Sequence, residues 1–354
     1  MDNQAKTHDV MIRRESNILP NVRGIINGGE GKNYGLPDCM AYLMESIGES
    51  EELNYWLFAG VTGEGLTQVY NKNNTSSCEY CVSGYLAGPL HTEYLFDAIG
   101  YNHSYVSSEQ INSNKAIYVD KIMSYIDKGV PVIVKTNLNT RPGFKTDVLT
   151  YFIYVGYEDY GNTLLFIREE TATIFKYDTR EMIEQDWIFI GDKKCDISYE
   201  EIIRNAVIKM PYWFKLPERN GMCFGAEAFR TWADNIENGR YENEKDLWGN
   251  YSVYIVNLAT NAGNSGNEPY IIKKFAEIDS RYQIMCDQIM NLYVNLSNQD
   301  GGVWKALEEL GGGFNVTREV MCNKEKRTQI AMIIRKAADY CDELVKILED
   351  NLLN

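Results

Sequence analysis

The stretch Asn33-Tyr34-Gly35-Leu36-Pro37-Asp38-Cys39-Met40-Ala41-Tyr42-Leu43-Met44 decides how the rest of this chain is read. Met40, Leu43, Met44 and Ile47 recur at helical spacing, which predicts a helix with a cysteine at its mouth. Gly35 and Pro37 punctuate the turn before it, and Gly48 closes the run. A thiol at a helix N-terminus feels the positive end of the macrodipole, which favours the thiolate. Asn33 lies six residues upstream of Cys39, close enough to aim at the same spot across a tight turn. That is the layout of a nucleophilic cysteine with an oxyanion donor. The competing reading is a buried core thiol, since free cysteine is among the most buried residue types.

Composition bounds what the chain does. Its 354 residues suggest two domains, and 44% hydrophobic with 24% charged residues is ordinary for a globular protein. A net charge of −15 argues against wrapping nucleic acid, which needs clustered Lys and Arg, and against an anionic membrane surface. No apolar run approaches the ~18 residues of a membrane span. Residues 1–17 are polar, without the apolar core of a signal peptide, and read as a leader that is partly disordered. The cysteines at 39, 78, 81, 195, 223, 286, 322 and 341 are scattered, which reads as reduced thiols in a cytoplasmic protein.

Read in order, Gly24 to Gly35 is glycine-rich but lacks the Gly-Lys-Ser/Thr ending of a phosphate loop. Tyr55 to Ala59 reads as a strand. Cys78-Glu-Tyr-Cys81 is half of a zinc site that His91 or His103 would have to complete; two loop thiols and a surface histidine is the alternative, and no metal is expected. Val119, Ile122, Met123 and Ile126 mark an amphipathic helix ending at Gly129. Strands follow at Val130–Lys135, Asp147–Val155, Thr163–Arg168 and Trp187–Gly191, with a hairpin turn at Gly156–Gly161. Ser198-Tyr-Glu-Glu201 is a capping box opening a helix to about Lys209. Residues 18–212 thus read as an α+β domain, an early helix packed on an antiparallel sheet.

From residue 213 to 354 the period changes. Cys223 to Ile236 is helical, Phe275 to Leu296 carries one long amphipathic stripe, and Ile330 to Leu348 repeats it. This segment reads as an all-α helical bundle, its Cys and Met residues core packing.

The order of these pieces resembles the papain-like cysteine peptidase fold, with the nucleophile on an early helix and its partners on a later antiparallel sheet. More narrowly it resembles the family around butirosin biosynthesis protein H. The resemblance rests on Leu36-Pro-Asp-Cys-Met40, Phe58-Ala-Gly-Val-Thr-Gly63, Tyr94-Leu-Phe-Asp-Ala-Ile-Gly100, Gly129-Val-Pro-Val-Ile133, Tyr154-Val-Gly-Tyr-Glu-Asp-Tyr-Gly161 and Gly225-Ala-Glu-Ala-Phe-Arg-Thr-Trp-Ala233. It implies Cys39 as nucleophile and Asn33 as the amide of the oxyanion hole. The family's histidine falls at Thr150, beside Tyr151, and its orienting carboxylate near Arg168 and Glu169. The general base is therefore missing from its place. The chain holds only His8, His91 and His103.

Two functions follow. In one, Cys39 and Asn33 carry acyl-transfer or amide chemistry on a small molecule or a carrier-bound acyl group. Losing a base costs a factor of about 10² to 10⁴, a loss that an activated thioester tolerates better than a peptide does. In the other, the domain is catalytically inactive and binds a ligand or peptide, with Asp38, Thr150, Tyr151 and Glu169 lining the site. The expected partners are a small molecule, a peptide or an acyl carrier protein, with neither nucleic acid nor membrane. No cofactor is implied, and an unpaired face of the bundle would make a homodimer.

Overall fold

The quoted stretch is a helix, α1, running Gly35–Ser46. Gly35 opens it because no side chain fits there: a Cβ would lie 2.9 Å from the Tyr151 carbonyl oxygen of the neighbouring strand. The computed structural model describes residues 14–26, 28–73, 82, 88–137, 149–219, 221–261 and 269–352. The Cys78–Cys81 pair and His8 lie outside them.

Within the described residues the chain is α+β. Its strands are β1 (Asn17–Ile18), β2 (Val69–Asn71), β3 (Tyr101–Val106), β4 (Val132–Asn137), β5 (Leu149–Glu158), β6 (Thr163–Ile167), β7 (Phe175–Asp178), β8 (Gln185–Lys193) and β9 (Met222–Phe224). One antiparallel sheet has the order β3-β8-β4-β5-β6-β7, with β1 against the far end of β5. β4 is central, with Thr136 opposite Thr150 on one side and Gln185 on the other. Val132, Ile133 and Val134 are fully buried, as the apolar run from Val130 predicts.

The helices up to the sheet's end are α2 (Tyr55–Thr62), α3 (Pro89–Ala98), α4 (Ser108–Ser113) and α5 (Lys115–Asp127). Tyr125 of α5 packs edge-on against Phe189, so α5 covers the face carrying Gln185, Trp187 and Phe189. Helix α1 packs on β4 and β5 from the other face. The C-terminal helices are α6 (Tyr199–Phe214), α7 (Gly225–Glu237), α8 (Val253–Asn261), α9 (Tyr270–Ile278), α10 (Gln283–Leu296), α11 (Val303–Glu309), α12 (Arg318–Cys322) and α13 (Lys324–Leu352). Helix α13 lies along α7, and β2 pairs with β9 between the two halves of the chain. One apolar core runs through both halves, from Cys39 and Phe58 to Trp232 and Leu344.

Several sequence expectations change. Tyr55–Ala59 is helix, not strand, because Asn54 caps it: its side chain accepts from the Trp56 and Leu57 N–H groups. An apolar run this short fits either structure by periodicity alone. The expected helix at Cys223 begins two residues later, since Met222–Phe224 is β9. The Phe275–Leu296 stripe is two helices. Asp279 breaks it by accepting from the Arg281 N–H and pairing with the Arg204 and Arg281 guanidinium groups. The leader ends ordered: the Glu15 carbonyl accepts from the Tyr160 N–H, and Asn17 faces Tyr157 in register. Ser198 does cap its helix, accepting from the Glu201 N–H, and that helix continues through Pro211 to Phe214.

Candidate functional site

Cys39 follows the first turn of α1, where the chain has turned its apolar face inward. The thiol is fully buried at 0% exposure. Burial pushes its pKa well above the ordinary thiol range; the adjacent Asp38 adds to this and Arg23 opposes it. Among the described residues no histidine hydrogen-bonds it. His91, on α3, is buried edge-on against the Trp213 ring, and His103, on β3, stacks on Phe96 with ring centres 5.3 Å apart.

Asn33 is committed elsewhere. Its side-chain amide donates to Thr260 Oγ1 at 2.7 Å, and weakly to the Gly31 carbonyl at 3.4 Å. Its neighbour Tyr34 is held by the same helix, α8: Asn257 donates to the Tyr34 hydroxyl, which donates to Asn261. Residues 227 positions apart thus meet at the mouth of α1.

Asp38 is the residue that the structure turns into a junction. Its side chain is 4% exposed; Oδ2 accepts from the Ile26 N–H at 2.7 Å and Oδ1 pairs with the Arg23 guanidinium at 3.2 Å. The first turn of a helix favours a carboxylate, as the macrodipole requires. Arg23 also reaches Glu45 at 2.9 Å and lies over the Tyr42 ring. The same segment brings in Glu169, whose carbonyl accepts from the Ile25 N–H. Gly24 has no side chain because a Cβ would overlap the Glu170 carbonyl.

Asp38, Tyr151 and Glu169 are therefore gathered around residues 23–26 and the start of α1. Thr150 is not with them. It pairs with Thr136 in register, and alternation along β5 puts it on the face that α5 covers while Tyr151 takes the α1 face. The position where the resemblance places a histidine thus faces away from Cys39.

What opens to solvent is the neighbouring face of α1. A groove of about 670 Å³ runs along Asp38, Ala41 and Glu45, past Glu49 and Ser50, to Asn54 and Trp56. Four carboxylates (Asp38, Glu45, Glu49, Glu51) stand in it against two cations, Arg23 and Lys32. Glu49 accepts from the Tyr101 hydroxyl and pairs with Lys193, which holds its carboxyl below the usual range. Sequence reading found Asp38 but missed Arg23, Glu45 and Trp56. The one available signal was the i, i+3, i+7 spacing of Asp38, Ala41 and Glu45, a half-polar stripe beside the apolar one. Among the described residues no group of three or more His, Cys, Asp or Glu side chains is placed to hold a metal ion.

Compared with known proteins, the chain matches no family model and no curated protein.

Proposed function

We propose that this chain carries a papain-like domain that does no cysteine chemistry and binds a ligand, a small molecule or peptide, in the groove beside α1. The observation behind this reading is the state of Cys39: a fully buried thiol whose pKa is raised instead of lowered. A nucleophilic thiolate needs access and an electropositive setting, and Cys39 has a carboxylate, Asp38, as its next neighbour. The commitment of Asn33 to Thr260 removes the second member of the catalytic pair. The groove offers what a binding site needs: a concave volume in the range of small-ligand pockets, with an indole wall at Trp56 and polar groups at fixed positions. Its excess of carboxylates favours a ligand carrying a positive charge, such as an amine or a basic peptide.

The test is alkylation with iodoacetamide across pH 5 to 9, read peptide by peptide. Exposed Cys195 and Cys322 should label in the native protein, and Cys39 only with denaturant. Selective native labelling of Cys39 near neutral pH would sink this reading and restore the acyl-transfer one, with acyl-carrier thioesters as the next substrates. Binding itself is measured by calorimetry with lysine- and arginine-containing dipeptides against their acidic counterparts. Trp56→Ala should weaken the basic ones about tenfold.

A further inference from the structure

A second groove, away from α1, lies where α2, α3 and α6 meet. Val61, Ala98, Ile202 and Ile208 form its walls over about 300 Å³, at the lower end of the range of small-molecule sites. One cation, Lys209, stands in it with Tyr94. Its ammonium lies 3.7 Å from the centre of the Tyr212 ring, 5.2 Å from Tyr94 and 5.7 Å from Trp213. An ammonium has three donors, and among the described residues those of Lys209 meet no carboxylate and no hydrogen-bond acceptor. Burial without any charged partner lowers its pKa.

The chain has 50 acidic side chains against 35 basic ones, and several of its lysines pair with them. Lys194 pairs with Asp97, Lys193 with Glu49, and Lys215 with Glu349. Asp97 lines the same groove yet is turned to Lys194. Three rings hold the Lys209 ammonium in place while its donors stay open, beside an apolar trough.

We propose that this groove binds an amphipathic monocarboxylate, its chain along Val61, Ala98, Ile202 and Ile208 and its carboxylate on Lys209. A single cation suits a single negative charge. A dianionic phosphate headgroup would call for more than one, and Asp97 one helical turn from Tyr94 disfavours it further.

The test is titration calorimetry with decanoate, and with decanol as the same chain without the charge. Wild-type protein should bind decanoate saturably and at least tenfold tighter than decanol. Lys209→Met keeps an apolar stem on the three rings and should abolish that preference, leaving the two probes alike. Ala98→Trp fills the trough and should abolish binding of both. No saturable decanoate binding by the wild type up to 1 mM would overturn the proposal, as would equal binding of decanol. So would a preference that survives Lys209→Met, which decides the matter even if Ala98→Trp fails to fold.

Discussion

At position 39 two forces act on one thiol in opposite directions. The helix macrodipole favours the thiolate by about 0.3–2 kcal/mol and fades within the first turn, and Cys39 is the fifth residue of α1. Removing a thiolate from water costs several kcal/mol, so burial decides. The same competition governs His91, which is 5% exposed and whose Nε2 meets no hydrogen-bond partner among the described residues. Burial depresses its pKa from an ordinary 6.5 to about 4. Above pH 6.5 the imidazole is neutral in both folded and unfolded chains, and pH has no leverage. Below it the unfolded chain takes up a proton that the folded one refuses, so stability falls as pH drops toward 4. The linkage amounts to roughly 2–3 kcal/mol at pH 4.5. His91→Leu should therefore lose that much less stability than wild type between pH 7 and 4.5, measured by urea denaturation at both. Parallel losses in the two proteins would mean that His91 is protonated in the fold.

Elements fit here through residues that make room. Gly63 ends α2 in the left-handed region at φ +81°, and a Cβ on it would lie 2.7 Å from the Trp213 ring of α6. Gly48 ends the α1 segment at φ +79° with nothing within 4 Å of a Cβ. The pair separates backbone strain from collision. Gly48→Ala should cost about 1 kcal/mol for left-handed strain alone. Gly63→Ala should cost more than about 2 kcal/mol, because a packed indole must also move. Equal shifts in denaturation midpoint would show that Trp213 yields freely. Asn54 and Asp279 work by the same local logic: one cap makes a helix of an apolar run read as strand, and one carboxylate cuts a helical stripe in two.

Across the whole molecule, the two halves are held together by polar groups as well as by apolar area. Asn257 is 1% exposed; it accepts from the Val69 N–H at 2.9 Å and donates to the Tyr34 hydroxyl at 2.7 Å. It serves β2 and the start of α1 from α8. Asn257→Leu would leave the Val69 N–H without its acceptor, at about 1–3 kcal/mol, and take one hydrogen bond from the Tyr34 hydroxyl, which keeps Asn261. That is a large part of the 5–15 kcal/mol a domain commands. The variant should lower the denaturation midpoint of sheet and helices together, read by near-UV and far-UV circular dichroism. Helices that outlast the sheet, in wild type or variant, would mean that residues 213–354 fold independently.

Much was legible in local pattern: the α1 helix, though it begins at Gly35 and takes in Pro37 instead of starting after it, the central strands and the Ser198 cap. Those features rest on interactions between near neighbours in the chain, such as helical periodicity, alternation and capping. What the sequence by itself determined was therefore the kind of most long, strongly periodic elements and the antiparallel α+β class, while the short apolar run at Tyr55–Ala59 was decided by its Asn54 cap. Only the tertiary structure decided what became of the candidates. The sequence allows Cys39 as a nucleophile at a helix mouth or as a buried core thiol, and its neighbours across the core make it buried. Asn33 was placed by a contact to Thr260 from 227 residues away. Thr150 was placed by strand parity, which a shift of one residue reverses. Solvent access, the partner of an amide and the face of a strand all depend on groups far away in sequence, and no window along the chain contains them.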